Sequence, residues 1–265
     1  MYPILIKIGP VTIHTYGFMM ALGVAMAIWF VYVQGKKQGL PADKLVDMAF
    51  FTIIISLIGA KLVLLFSNFS YYMKYPGEIF SLARSGGVFQ GGLAAGLLFA
   101  LWYLHKHRIP TWKAGDVVGP ALALGHGFGR IGCFSAGCCY GRACTNFFGV
   151  TFQNEYAHNL TGIPINEALH PVQLYEAGLN FFNFVILFLV LRKKRFDGQV
   201  FMLYIMNYSI IRYFTEFYRG DHPDKAVLIK GSSSYSSLTY PQLFCVLGFI
   251  VGLVLYLILR KRKVA

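Results

Sequence analysis

Charge is what this 265-residue chain has least of: Asp, Glu, Lys and Arg make up 13% of it, and only 11 positions are acidic. With 56% hydrophobic residues and a mean hydropathy of +0.55, that scarcity excludes an ordinary soluble domain. Also missing is any soluble stretch large enough to carry a basic nucleic-acid face, so the net charge of +13 does not point to nucleic acid. The opening residues MYPILIKIGPVTIHTYGF have no cationic region ahead of the first apolar run and no small-residue cleavage site, so a cleaved signal peptide is not expected. There is no internal repeat, which argues against a transporter built from paired, broken halves. Low complexity is confined to SSSYSS at Ser232–Ser237. The cysteines, finally, lack the CxxC pair of the usual metal sites.

What is present in quantity is apolar sequence, in stretches about as long as a bilayer is thick. Seven spans are expected: Tyr16–Val33, Leu45–Phe66, Gly86–Leu104, Gly115–Phe134, Val172–Leu191, Gln199–Phe217 and Gln242–Leu259. The expected fold is thus an all-α polytopic membrane protein with about seven transmembrane helices. It forms a single membrane-embedded domain over 1–265, with the segment Ser135 to Pro171 as a small extracytoplasmic head. Basic residues set the orientation. Lys36, Lys37, Lys44, Lys106, Arg108, Lys113, Arg192 to Arg195 and Arg260 to Lys263 fall in one set of loops and the tail. Lys7, Lys74, Arg84, Arg142, Arg219, Lys225 and Lys230 fall in the other. Fourteen against seven places the amino terminus outside and the carboxyl terminus in the cytoplasm.

Three cations remain inside spans: Lys61, Arg130 and Arg212. Each lies about fourteen to sixteen residues into an outward-running span, which is the outer third of the bilayer. Other polar groups gather at that depth. Gln173 and Glu176 open the fifth span, His14 and Tyr16 the first, and Gln90 the third. Arg212, Glu216 and Arg219 follow i, i+4, i+7 spacing and are expected on one helical face. Around Arg130 runs the stretch Gly125 to Arg142, GHGFGRIGCFSAGCCYGR, rich in small residues that let backbones approach. Arginine forks match phosphate oxygens, and the natural phosphate at this depth is a phospholipid head group. Glu176 and Glu216 would hold the arginines in place. The competing reading is that the arginines snorkel or lock helices together without binding anything.

At this point the residues resemble a family. The stretch GRIGCFSAGCCYGR is similar to the signature of the prolipoprotein diacylglyceryl transferases. HTYG at His14–Gly17, GGVFQGG at Gly86–Gly92, HPVQLYE at His170–Glu176 and IRYFTEFYR at Ile211–Arg219 agree in order along nearly the whole chain. The resemblance implies transfer of the diacylglyceryl group of phosphatidylglycerol to the lipobox cysteine of a preprolipoprotein, in the bacterial inner membrane. A thioether forms and glycerol 1-phosphate leaves. It also implies that Arg130 contacts the lipid head and that Arg212 is a second essential arginine near the phosphate. Tyr16, Glu216, Arg219, His170 and Glu176 match further polar positions. The partners implied are phosphatidylglycerol, lipobox signal peptides and membrane lipids; no metal or organic cofactor is.

Two departures from the family pattern stand out. Cys133, Ala136 and Cys138 replace asparagines and a glutamate of the common signature, and Gln90 replaces a histidine. Glutamine cannot act as a base at neutral pH, so another group must take the thiol proton. His126, one turn before Arg130 on the same helical face, is a candidate, as are His14 and His170. His126 can equally be a packed histidine. Cys133, Cys138, Cys139 and Cys144, on the oxidising side, are expected to form a structural disulfide or two. A membrane thiol-disulfide oxidoreductase using those four cysteines, or a thiolate metal site, are the alternatives. Cys245 reads as an apolar filler.

Overall fold

The computed structural model describes residues 2–75, 77–78, 87–145, 147–221, 227–229 and 238–262. Of the sequence features above, Arg84, Gly86, Lys225, Lys230, Ser232–Ser237 and Lys263 lie outside these residues. Each of the seven apolar stretches forms one long helix: α1 (Thr15–Lys37), α2 (Ala42–Ser67), α4 (Phe89–Lys106), α5 (Thr111–Ala136), α7 (Val172–Arg192), α8 (Gln199–Glu216) and α9 (Tyr240–Arg262). Two short helices, α3 (Phe69–Lys74) and α6 (Glu155–Thr161), lie in connections. By length and composition four helices, α1, α2, α7 and α9, are apolar enough to cross a membrane. Helices α5 and α8 carry Asp116, Arg130, Arg212 and Glu216, which lower their hydropathy.

The chain is mostly helical, as expected, and short strands lie outside the long helices. Three two-stranded antiparallel sheets are present among the described residues: β1 (Ile4–Ile8) with β2 (Val11–His14), β3 (Val150–Thr151) with β4 (Ala168–Leu169), and β5 (Val227–Ile229) with β6 (Leu238–Thr239). The first is closed at Gly9-Pro10, a turn dipeptide between two β-branched runs. The other strands are two or three residues long, too short for any periodic signal.

The chain divides into two compact units, residues 31–114 and residues 1–30 with 115–265. In the first, α2 lies along α4, where Gly91, Gly92 and Gly96 are buried and keep the contact close. In the second, α8 packs against both α7 and α9, and Phe128 of α5 meets Phe181 of α7 edge-on at 5.3 Å. One carboxylate organises the start of α8. The wholly buried Asp116 of α5 accepts from the backbone N–H groups of Gly198 (2.9 Å), Val200 (2.8 Å) and Phe201 (3.1 Å) and from Lys194 Nζ (2.8 Å). It caps a helix whose own N-cap, Gly198, has no side chain to do so.

The segment after α5 folds on a small core of Phe152, Ala157, Ile163 and Leu169, joined by Phe134, Tyr140 and Val150. Asn154 caps α6 by accepting from Ala157 N at 3.0 Å. Residues 140–144 run between two other segments. Arg142 N donates to Tyr218 O, Gly220 N to Tyr140 O, His170 N to Arg142 O and Cys144 N to Ala168 O, all within 3.1 Å. Gly141 sits in the middle, where a Cβ would collide with the His170 carbonyl and lie 2.7 Å from its Cβ.

Candidate active site

Three helices of the larger unit aim charged groups at one point. Glu176, one turn into α7, presents one carboxylate oxygen to Arg212 of α8 at 2.8 Å and the other to Nε of Arg130 from α5. Arg212 reaches on to Glu216, one turn along its own helix, at 2.6 Å. The two glutamate side chains are almost fully covered, at 2% and 1% exposure, while the arginine side chains keep 19% and 15%. The arginines are therefore the more open members of this cluster and the glutamates the sealed ones. Thr215 adds a hydroxyl to Glu176 at 3.0 Å, and Thr239 another to Glu216 at 3.1 Å. Arg130 meets Glu176 through Nε, which leaves its two terminal nitrogens outside that bond.

The other candidates fall in several places. Tyr16, at the first turn of α1, backs onto Gly132 of α5 and lies within electrostatic reach of Arg130. His126, one turn before Arg130, lies 3.3 Å from the Tyr204 hydroxyl and 5.0 Å from the Tyr208 ring, centroid to centroid. His14 bonds the Tyr156 hydroxyl at 3.0 Å. His170 contacts the Tyr175 hydroxyl at 3.3 Å and packs edge-on against Tyr218; partial burial holds its pKa below the usual value. Gln90, in the first turn of α4, and Lys61, on α2, belong to the smaller unit.

Arg219 corrects an expectation. Helix α8 stops at Glu216, so Arg219 does not continue its face; it pairs backbone to backbone with Gly141 instead. Its guanidinium takes Asp221 in a two-pronged contact at 3.0 and 2.7 Å. Burial is the largest single influence and lowers its pKa, but Asp221, Cys139 and Glu176 together raise it above the usual value.

The cysteines correct a second expectation. Cys133, Cys138 and Cys139 are free thiols, and among the described residues no disulfide braces the segment after α5. Only three of the four group together: the sulfurs of Cys133, Cys138 and Cys139 lie within 4.8 Å of one another. Cys144 is buried at 4% exposure beside β4. Within the trio, hydrogen bonds with Cys133 and Cys138 lower the pKa of Cys139, and bonds with Cys133 and Cys139 raise that of Cys138.

The model of a protein family described as prolipoprotein diacylglyceryl transferase matches residues 3–258. The chain belongs to that family. Among its relatives, the phosphatidylglycerol–prolipoprotein diacylglyceryl transferase of Clostridium tetani (strain Massachusetts / E88) is 34% identical over 266 residues, covering 99% of this chain and 100% of the relative. The like-named protein of Geobacter sulfurreducens is 31% identical over 99% of this chain and 96% of its own length. The transferase numbered 2 of Clostridium perfringens is 32% identical over 95% and 93%. As a member of this transferase family, the chain is a mostly helical, multi-pass membrane protein.

The sequence reading missed several polar side chains of this transferase. Asn180 and Asn183 of α7 continue the buried stripe of Gln173 and Glu176, Asn207 donates to Asn183 at 2.8 Å, and Gln242 accepts from Thr239 N at 2.9 Å. Their signal was the i, i+3, i+7, i+10 spacing of 173, 176, 180 and 183, which lines one face of a helix.

Proposed function

We propose that the chain transfers the diacylglyceryl group of phosphatidylglycerol to the lipobox cysteine thiol of preprolipoproteins, forming a thioether and releasing glycerol 1-phosphate. The observation that carries this reading is the clasp of Arg130 and Arg212 on the buried Glu176, in which the arginine side chains are the more exposed partners. Attack of a thiolate on glycerol C3 forms an S–C bond and breaks the C–O bond to phosphate. Charge grows on the departing phosphate oxygens, where preorganised guanidinium donors stabilise it. Glu176 and Glu216 fix the two forks, and Arg219 joins the lipid-binding set. Tyr16 and His170 line the approach of the lipobox peptide, and His126 remains a candidate base.

In this reading about seven helices cross the bacterial inner membrane as one domain, with the amino terminus outside and the carboxyl terminus in the cytoplasm. Residues 135–171 form the extracytoplasmic head. Fourteen basic residues against seven support that orientation. The oxidoreductase alternative loses ground, because Cys144 does not join the other three thiols.

Purified protein in detergent, phosphatidylglycerol and a synthetic lipobox peptide provide the test. Mass spectrometry should find a diacylglyceryl adduct on the peptide cysteine, retained under dithiothreitol and reduced about 10²–10³-fold in Arg130→Ala, as for loss of a transition-state donor. Absence of the adduct together with reductant-sensitive thiol exchange would sink the transferase reading.

A further inference from the structure

The trio of thiols at the end of α5 has no part in the scheme above, yet the backbone gathers it deliberately. Helix α5 closes in a Schellman motif: Cys138 N bonds Cys133 O at 3.2 Å, Gly137 N bonds Phe134 O at 3.3 Å, and Gly137 takes a φ of 80°. Cys133 and Cys138 occupy the two positions of that motif whose side chains touch, one turn inside the helix and just beyond its end. Cys139 then adopts a φ of 59°, a left-handed conformation that is uncommon outside glycine. That turn brings the third thiol to the same spot. A C-x4-CC spacing, unpromising as a linear pattern, becomes a compact set of three donors once the helix ends this way.

We propose that Cys133, Cys138 and Cys139 bind a thiophilic d10 cation such as Zn²⁺ as three thiolates with an open fourth position, and that the substrate cysteine thiol fills that position. The second half of the proposal rests on the transfer reaction proposed above. Zinc–sulfur bonds of about 2.3 Å put tetrahedral sulfurs roughly 3.8 Å apart, so sulfurs already within 4.8 Å need only small side-chain rotations. Three protein ligands and one vacancy is the pattern of a reactive zinc site, whereas structural sites are closed by four. All three cysteines are partly exposed, so the vacancy can be reached from outside.

The chemistry answers the lack of a base at Gln90. A thiol coordinated to such a cation loses its proton outright, and thiolate is the form an alkylation requires. Each protein thiol releases one proton to water when the cation binds, and the substrate thiol releases a fourth. The metal-bound substrate sulfur then forms its bond to glycerol C3 as the C–O bond to phosphate breaks. The thioether product carries no charge and leaves the cation, while the phosphate leaves as an anion. No electron is gained or lost.

The test uses the full-length protein in detergent, reduced and stripped with a chelator, then titrated with Cd²⁺ alone. One equivalent should bind with the ultraviolet charge-transfer band of three thiolates, and adding the lipobox peptide should raise the band by one more. Cys138→Ser and Cys139→Ser, made separately and checked for an unchanged melting temperature without metal, should each weaken Cd²⁺ binding by more than the ~10–100-fold typical of outer-sphere losses. Cys144→Ser and Cys245→Ser should bind as the parent does. Failure to bind stoichiometrically, or binding indifferent to the trio, overturns the site. Full adduct formation by the chelated enzyme, with no fourth thiolate in the spectrum, overturns the role in the reaction and leaves the transferase reading intact. A three-thiolate band with no adduct under any condition upholds the site and removes the transferase reading instead.

Discussion

Glu176 is almost sealed from solvent, and a lone carboxylate there would cost several kcal/mol to desolvate. Two guanidinium groups and the Thr215 hydroxyl offset that cost by using both of its oxygens. Glu176→Gln keeps the shape and removes the charge, leaving Arg130 and Arg212 facing each other across a neutral amide. We expect a loss of about 3–5 kcal/mol in stability, visible as a lower melting temperature in detergent. An unchanged melting temperature would mean that the clasp does not hold the helices. These ionisable residues were legible in the sequence because charge inside an apolar span is costly and therefore conspicuous. Asn180, Asn183, Thr215, Thr239 and Gln242 were not. A neutral polar side chain carries no such penalty mark, and its partner depends on how each helix is rotated. Asp116 was missed for another reason: it lies close to Lys113 near the start of its span and reads as a loop charge.

Elements show the same division. The seven long helices follow from apolar stretches of the right length, but their ends do not. Whether α8 stops at Glu216 or runs on to Arg219 is decided by the pairing of Arg219 with Gly141, almost 80 residues away in sequence. Pairing at such range leaves no local trace in composition. The same junction yields a prediction. Gly141→Ala drives a methyl group into the His170 backbone, so the segments at 140–144, 168–170 and 218–220 must separate. The variant should become protease-sensitive between residues 137 and 171, while the Asn154 cap of α6, being local, survives. An undisturbed cleavage pattern would show that the junction can relax. Asp116→Ala tests the start of α8, since three backbone N–H groups and Lys194 lose their common acceptor. Losing one side of a buried pair of this kind costs about 3–5 kcal/mol in thermal unfolding. Lys194→Ala, which leaves the carboxylate with its three N–H donors, should cost less.

At the scale of the whole molecule, the helices fall into two kinds. Helices α1, α2, α7 and α9 are apolar enough to be recognised as spans by composition, whereas α5 and α8 carry most of the candidate site and pay for it in hydropathy. The site itself is balanced: Arg130 and Arg212 against Glu176 and Glu216 sum to zero. In the proposed bilayer setting that balance has an electrical meaning. A charge that moves through the membrane field exchanges energy with the transmembrane potential, up to about 2.3 kcal/mol per elementary charge per 100 mV for a full crossing. A cluster of zero net charge exchanges almost none. Adduct formation in sealed vesicles should therefore hold steady to within about twofold when a potassium diffusion potential is imposed or collapsed; a larger change would mean that charge moves along the field during transfer. The buried glutamates, by this reasoning, let lipid modification continue in a cell whose membrane has lost its voltage.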